Sequence, residues 1–161
     1  MGGTWEMVRP SKYARRFTME TPVCLLTGPA AGHPMMRTAV DPAGRTVRGT
    51  LNNCASSKTP WGTYLSGEEN WMGYFGGRRQ PHAHQRRWGM RKDGAYQWEM
   101  HDERFDARKH PNEPNRFGWV VEVDPMDPTS TPDQAHGAGP RGPRGRLGGR
   151  DQRRPGRRVL R

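Results

Sequence analysis

The chain has 161 residues, of which 31% are hydrophobic, with 21 Gly and 15 Pro, enough for one turn-rich domain. No apolar run approaches the roughly 20 residues of a membrane-spanning helix, and no secretory signal opens the chain. The formal charge of +11 points to polyanions until it is divided: residues 133–161 hold nine Arg and two Asp, net +7, which leaves +4 for the first 132 residues.

In chain order, short strand candidates dominate. Thr21 to Leu26 is apolar and β-compatible, and Cys24 within it reads as a buried thiol rather than half of a disulfide with Cys54. Arg45 to Leu51 follows an Asp-Pro-Ala-Gly turn. Gly62 to Leu65 leads into the acidic pair Glu68–Glu69. Gly76 to Arg91 is basic and contains Gly and Pro, so it reads as a surface loop. Gly94 to Met100 follows Lys92-Asp93-Gly94, a hairpin-type turn. Gly118 to Val123 carries the clearest alternation, with Trp119, Val121 and Val123 on one face and Val120, Glu122 and Asp124 on the other. Asp124-Pro125 and Asp127-Pro128 end it. Several short strands with turns between them mean an all-β sandwich, barrel or propeller, and pattern alone does not choose among these.

Leu51 to Phe75 concentrates the chemistry: Cys54, Glu68, Glu69, three Asn and five aromatics. A thiolate is a soft ligand and a carboxylate a hard one, so a site with both can hold a transition metal beside calcium-like cations. The segment reads Asn52-Asn53-Cys54-Ala55, then Thr59-Pro60-Trp61-Gly62-Thr63, then Gly67-Glu68-Glu69-Asn70-Trp71. A second ordered block, HPNEPNRFGWVVEVDPMDPTSTP, runs from His110 to Pro132. Together the blocks resemble the PhoX-type alkaline phosphatases. Tyr13–Gly28 and Asp41–Gly49 look like that family's lead-in, so the resemblance covers about residues 3 to 132. Gly67 departs from it, standing where many members carry a second cysteine.

The resemblance implies a β-propeller, of which this chain supplies one or two blades. It also implies iron ligation at Cys54 with calcium nearby, and hydrolysis of phosphomonoesters at alkaline pH. Adjacent residues of a strand point to opposite faces, so at most one of Glu68 and Glu69 aims at a given metal centre. Glu69 is favoured as the ligand, with Glu68 or Asn70 orienting it or binding calcium. Glu113 and Glu122 lie in the second block and are metal candidates by resemblance. Read from the residues alone, Glu113 is a polar loop residue between prolines, and Glu122 sits on the exposed face of a strand or, with Val120 beside it, is buried on both sides. His82, His84, His101 and His110 read as surface-loop residues, because no CxxC or second close pair completes a zinc site. Trp61, Tyr64, Trp71, Tyr74 and Phe75 read as packing between strands rather than as stacking platforms for bases, since the basic residues lie mostly elsewhere.

The last 29 residues contain seven Gly, three Pro and no aromatic, and read as a disordered basic tail. Arg, Gly, Pro and Ala are also what GC-rich DNA yields in a wrong frame. The same codons displaced by one base permit TKRTALGRAAHEGAWVAVTKDGRAVVYSG, which restores a strand-like pattern around a DG turn. That string resembles the family's continuation, a KRTALGR…HEGA run. The expectation is therefore an all-β, partial β-propeller domain over residues 1–132, then a disordered Arg/Gly-rich frameshift product over 133–161. As a function, this is a fragment of a metal-dependent phosphatase with calcium and iron as cofactors and phosphate esters as substrates. It is expected to be inactive alone, because ligands from later blades are missing. Membrane association and specific nucleic-acid binding are not expected. The alternatives are a small basic nucleic-acid-binding protein carried by the tail, and a non-enzymatic calcium-binding β-domain. Members of the family are periplasmic or secreted through twin-arginine export. Arg15-Arg16 is not such a signal, since no apolar stretch follows, and this chain is expected to stay cytoplasmic.

Overall fold

The computed structural model describes residues 3–20, 23–77 and 80–135. Six short strands form one sheet: β1 (Val23–Thr27), β2 (Thr46–Arg48), β3 (Asn53–Lys58), β4 (Tyr64–Glu68), β5 (Val120–Val123) and β6 (Asp133–Ala135). Their order is β2-β1-β6-β5-β4-β3. β1 and β6 run parallel, and the other neighbours are antiparallel. The β2–β1 pair forms one half of the sheet and β5–β4–β3 the other. β6 joins them, with Gln134 opposite Leu26 on one side and Val121 on the other. Its three residues are the first of the segment expected as a disordered tail; residues 136–161 lie outside the described residues. Ladder bonds come from the backbone, so this place in the sheet demands no particular side chains.

Alternation decides which face is covered. Cys24, Leu26, Val47, Val121 and Gln134 are all at most 3% exposed, whereas Val120 on the opposite face is 41% exposed. The covered face packs against short 3-10 turns instead of long helices, at Trp71–Tyr74, Glu103–Phe105 and Glu113–Arg116. These bring in an aromatic cluster in which the Phe75 ring lies 5.2 Å from Phe105 and 5.6 Å from Phe117. Full burial of one such side chain contributes about 1.5–3 kcal/mol.

Behind this cluster two arginines are spent on structure. Arg104 Nε donates to Glu113 Oε1 at 2.6 Å, while its Nη1 and Nη2 donate to the carbonyls of Met19 and Arg48. Arg116, 2% exposed, donates to Thr38 Oγ1 and to the Thr46 carbonyl. Arg15 clamps the turn between β5 and β6, donating to the carbonyls of Ser130 and Asp124.

The strands expected near Thr21–Leu26, Arg45–Leu51, Gly62–Leu65 and Gly118–Val123 form, with shifted ends. Gly94–Met100 does not form a strand: it is a turn followed by a 3-10 helix, Trp98–Met100. The reason is packing, because the curl sets the Trp98 ring edge-on to Tyr74 at 4.7 Å and to Phe105 at 5.3 Å. The stretch expected as a surface loop contains helix α1 (Ala83–Arg87), where the His82 N–H donates to Gln85 Oε1. Both cysteines are free, Cys24 buried and Cys54 exposed. Among the described residues no helix is long and apolar enough to cross a membrane.

A candidate metal centre on the β3–β4 edge

β3 is an outer strand, and all six of its residues are exposed. Its register against β4 slips. Asn53 pairs with Glu68 and Ser56 with Ser66, so Cys54 and Ala55 together face Gly67. A bulge of this kind bends its strand and re-aims a side chain. Here the Cys54 thiol meets the Glu69 carboxylate, and the hydrogen bond and negative charge of Glu69 push the thiol above its ordinary pKa.

The approach to this pair is fixed by Asn52. The Glu69 N–H donates to the Asn52 carbonyl at 3.0 Å, and Asn52 Nδ2 returns a bond to the Glu69 carbonyl at 2.7 Å. Asn52 (φ 46°) and Asn70 (φ 49°) both adopt left-handed backbone on either side of the pair. Asn tolerates this region better than most residues, and such outliers cluster at functional sites. A Cβ built on Gly67 would meet only Ala55 Cβ, at 3.5 Å, so a side chain at that position fits.

The remaining candidates lie elsewhere. Glu68 turns to the covered face and is 9% exposed. Its Oε1 accepts from Thr50 Oγ1 at 2.7 Å, the Leu51 N–H at 2.8 Å and Gln134 Nε2 at 3.1 Å. Its Oε2 accepts from the Gly118 and Trp119 N–H groups. Burial raises its pKa against the pull of these bonds. Glu113 is buried between Arg104 and Arg116. Glu122 accepts from Trp61 Nε1 at 2.7 Å and Thr63 Oγ1 at 2.6 Å, on the less covered face. Asn70 lines a cleft of about 260 Å³ with Met72, Arg91, Asp93 and Tyr96.

The structure thus brings Cys54 and Glu69 together and sets Glu68, Glu113 and Glu122 in three other surroundings. Among the described residues no group of three or more His, Cys, Asp or Glu is placed to hold a metal ion. The donor chemistry of the Cys54–Glu69 pair still fits part of a mixed site. It joins a soft and a hard ligand, exposed and bridged by a proton that metal binding would release. Glu68 and Glu113 have both carboxylate oxygens engaged by the chain itself, and Glu122 has its Oε1 engaged by Trp61 and Thr63. Asn52 escaped the sequence reading, although the Asn doublet before Cys54 was the signal available. Gln134 carried no signal at all, because its contact with Glu68 spans 66 positions.

An open all-β sheet with a thiol–carboxylate pair on its bulged edge defines the class: an unclosed β-domain. The comparisons sharpen that class. The family model described as alkaline phosphatase PhoX matches residues 1–140. The solved structure of Pseudomonas fluorescens PhoX in complex with vanadate, a transition state analogue, is 46% identical and superposes with a TM-score of 0.77. The match covers 83% of this chain and 24% of that one. No curated protein matches. The chain belongs to the PhoX alkaline phosphatase family, and its unclosed sheet is part of a β-propeller. It spans about a quarter of the length of the solved relative.

Proposed function

We propose that this chain is a piece of a metal-dependent phosphomonoesterase, supplies the thiol–carboxylate corner of its metal centre, and does not turn over substrate alone. The observation that carries this reading is the Cys54–Glu69 contact on a bulged, exposed edge strand, within a chain the family model spans. Cys54 is the ligand suited to iron, Glu69 the carboxylate that offsets its charge, and Asn70 an oxygen donor suited to calcium. Metals in such a centre polarise phosphoryl oxygens and orient the ester. The chain's own residues supply the frame. Glu68 ties β4 to the segments before β3 and β5, Glu113 neutralises the buried arginines, and Glu122 fixes the Trp61–Thr63 turn. The bound vanadate in the Pseudomonas fluorescens protein supports a phosphate ester as the substrate class.

The share of the fold present supports the reading of inactivity. With 24% of the relative matched, a centre built like the relative's would draw further walls and ligands from segments that have no counterpart here. The purified chain, supplied with iron and calcium, is expected to hydrolyse a chromogenic phosphate ester no faster than its Cys54→Ala variant. Hydrolysis clearly above that control would overturn the reading that the chain is incomplete as a catalyst.

A further inference from the structure

Gln134 is 0% exposed, at the centre of the strand that joins the two halves of the sheet. Its Nε2 serves two acceptors, Glu68 Oε1 at 3.1 Å and the Gly49 carbonyl at 3.4 Å. Its Oε1 is buried with no hydrogen-bond partner. The slot therefore offers acceptors and no donor. Glu68 receives five hydrogen bonds there, all from neutral groups, and among the described residues it forms no ion pair with a cation. The Gln134 amide serves both acceptors and leaves its own Oε1 unpaired, whereas an ammonium group in the same place would serve the acceptors without burying an unpaired acceptor.

We infer that position 134 is a lysine slot, in which an ammonium group sits between Glu68 and the Gly49 carbonyl and positions the Glu68 carboxylate. Two further observations agree. The thiol of Cys24 feels negative charge from both Glu68 and Asp133, with Arg104 the opposing cation. The coding frame displaced by one base, read from the residues alone, permits Thr or Ile at 133 and Lys or Arg at 134, a cation in either case. That pair of changes removes the half-buried Asp133 carboxylate and adds a cation. β6 then has the backbone of its family and the side chains of another frame. The slot is set by strand pairing, so it would stand even if Cys54 and Glu69 held no metal.

The test is a double-mutant cycle on the full 161-residue chain, read as thermal midpoints. Gln134→Lys is expected to raise the midpoint by roughly 5 °C, a size typical of one recovered buried interaction in a domain this small. Gln134→Met, of similar length and without polar groups, is expected to give no such gain. In a Glu68→Gln background the lysine is expected to lose its advantage. A lysine variant no more stable than the methionine one would overturn the inference, as would an equal gain with Glu68 removed. Should the Glu68→Gln chain not fold, the Lys–Met comparison decides alone.

Discussion

Glu68 and Glu69 are neighbours in the chain and opposites in surroundings: one takes five hydrogen bonds under the sheet, the other meets a thiol on the open edge. The two cysteines differ in the same way, and alkylation separates them. Burial pushes the Cys24 thiol up to about 12, helped by the charges of Glu68 and Asp133, so at pH 8 it is expected to react only after unfolding. Cys54 is exposed and is expected to react in the native chain, but slowly, because Glu69 holds its proton. Glu69→Gln removes that charge and is expected to speed Cys54 labelling several-fold with Cys24 still protected. Equal rates before and after the substitution would separate the two side chains and remove the pair. The sign of the pH effect at Cys24 follows too. Its folded pKa lies above the unfolded value of 9.0, so the folded state holds the proton longer, and stability is lost as pH rises from about 9 towards about 12. A denaturation series across that window, compared with Cys24→Ala, checks it; a parallel loss in both would place the cause elsewhere.

At the scale of elements, strands with a clear apolar alternation were legible. Val120–Val123 needs only its own residues to declare its faces, and Val23–Thr27 is apolar throughout. β3 was read for its chemistry and not as a strand, because Asn-Cys-Ala-Ser-Ser-Lys has no alternation; β4 and the bulge make it one. Trp98–Met100 failed in the other direction, since a distant aromatic cluster overrode a local hairpin signal. The thiol–carboxylate pair was legible through the motif. The engagement of Glu68, Glu113 and Glu122 was not, because their partners lie on segments remote in sequence. Two glycines test how these elements meet. Gly118 has φ +84°, and a Cβ there would clash with Trp71 Nε1, so Gly118→Ala is expected to cost at least about 2 kcal/mol in urea unfolding. Gly67→Ala meets nothing closer than 3.5 Å and is expected to stay within about 0.5 kcal/mol of the parent. Equal costs for the two would mean that the β5 entry does not pack against Trp71 as described.

At the scale of the whole molecule, the sheet is open at both ends, and its outermost strands, β2 and β3, have no outer neighbour among the described residues. Edge strands of this kind are covered or closed in stable β proteins, and propeller closure is one such solution. The exposed strand β3 and the match to a quarter of a longer relative agree with an unclosed part of a PhoX-type β-propeller. The proposed change of reading frame falls at the start of β6, where the backbone still pairs and the buried Gln134 Oε1 has no hydrogen-bond partner among the described residues. The most direct measurement is the DNA sequence from the codon of Pro132 onward. The account expects that, one base out of frame, it encodes Lys at the position of Gln134 and continues through a KRTALGR…HEGA run. DNA with no such sequence in the displaced frame would contradict it.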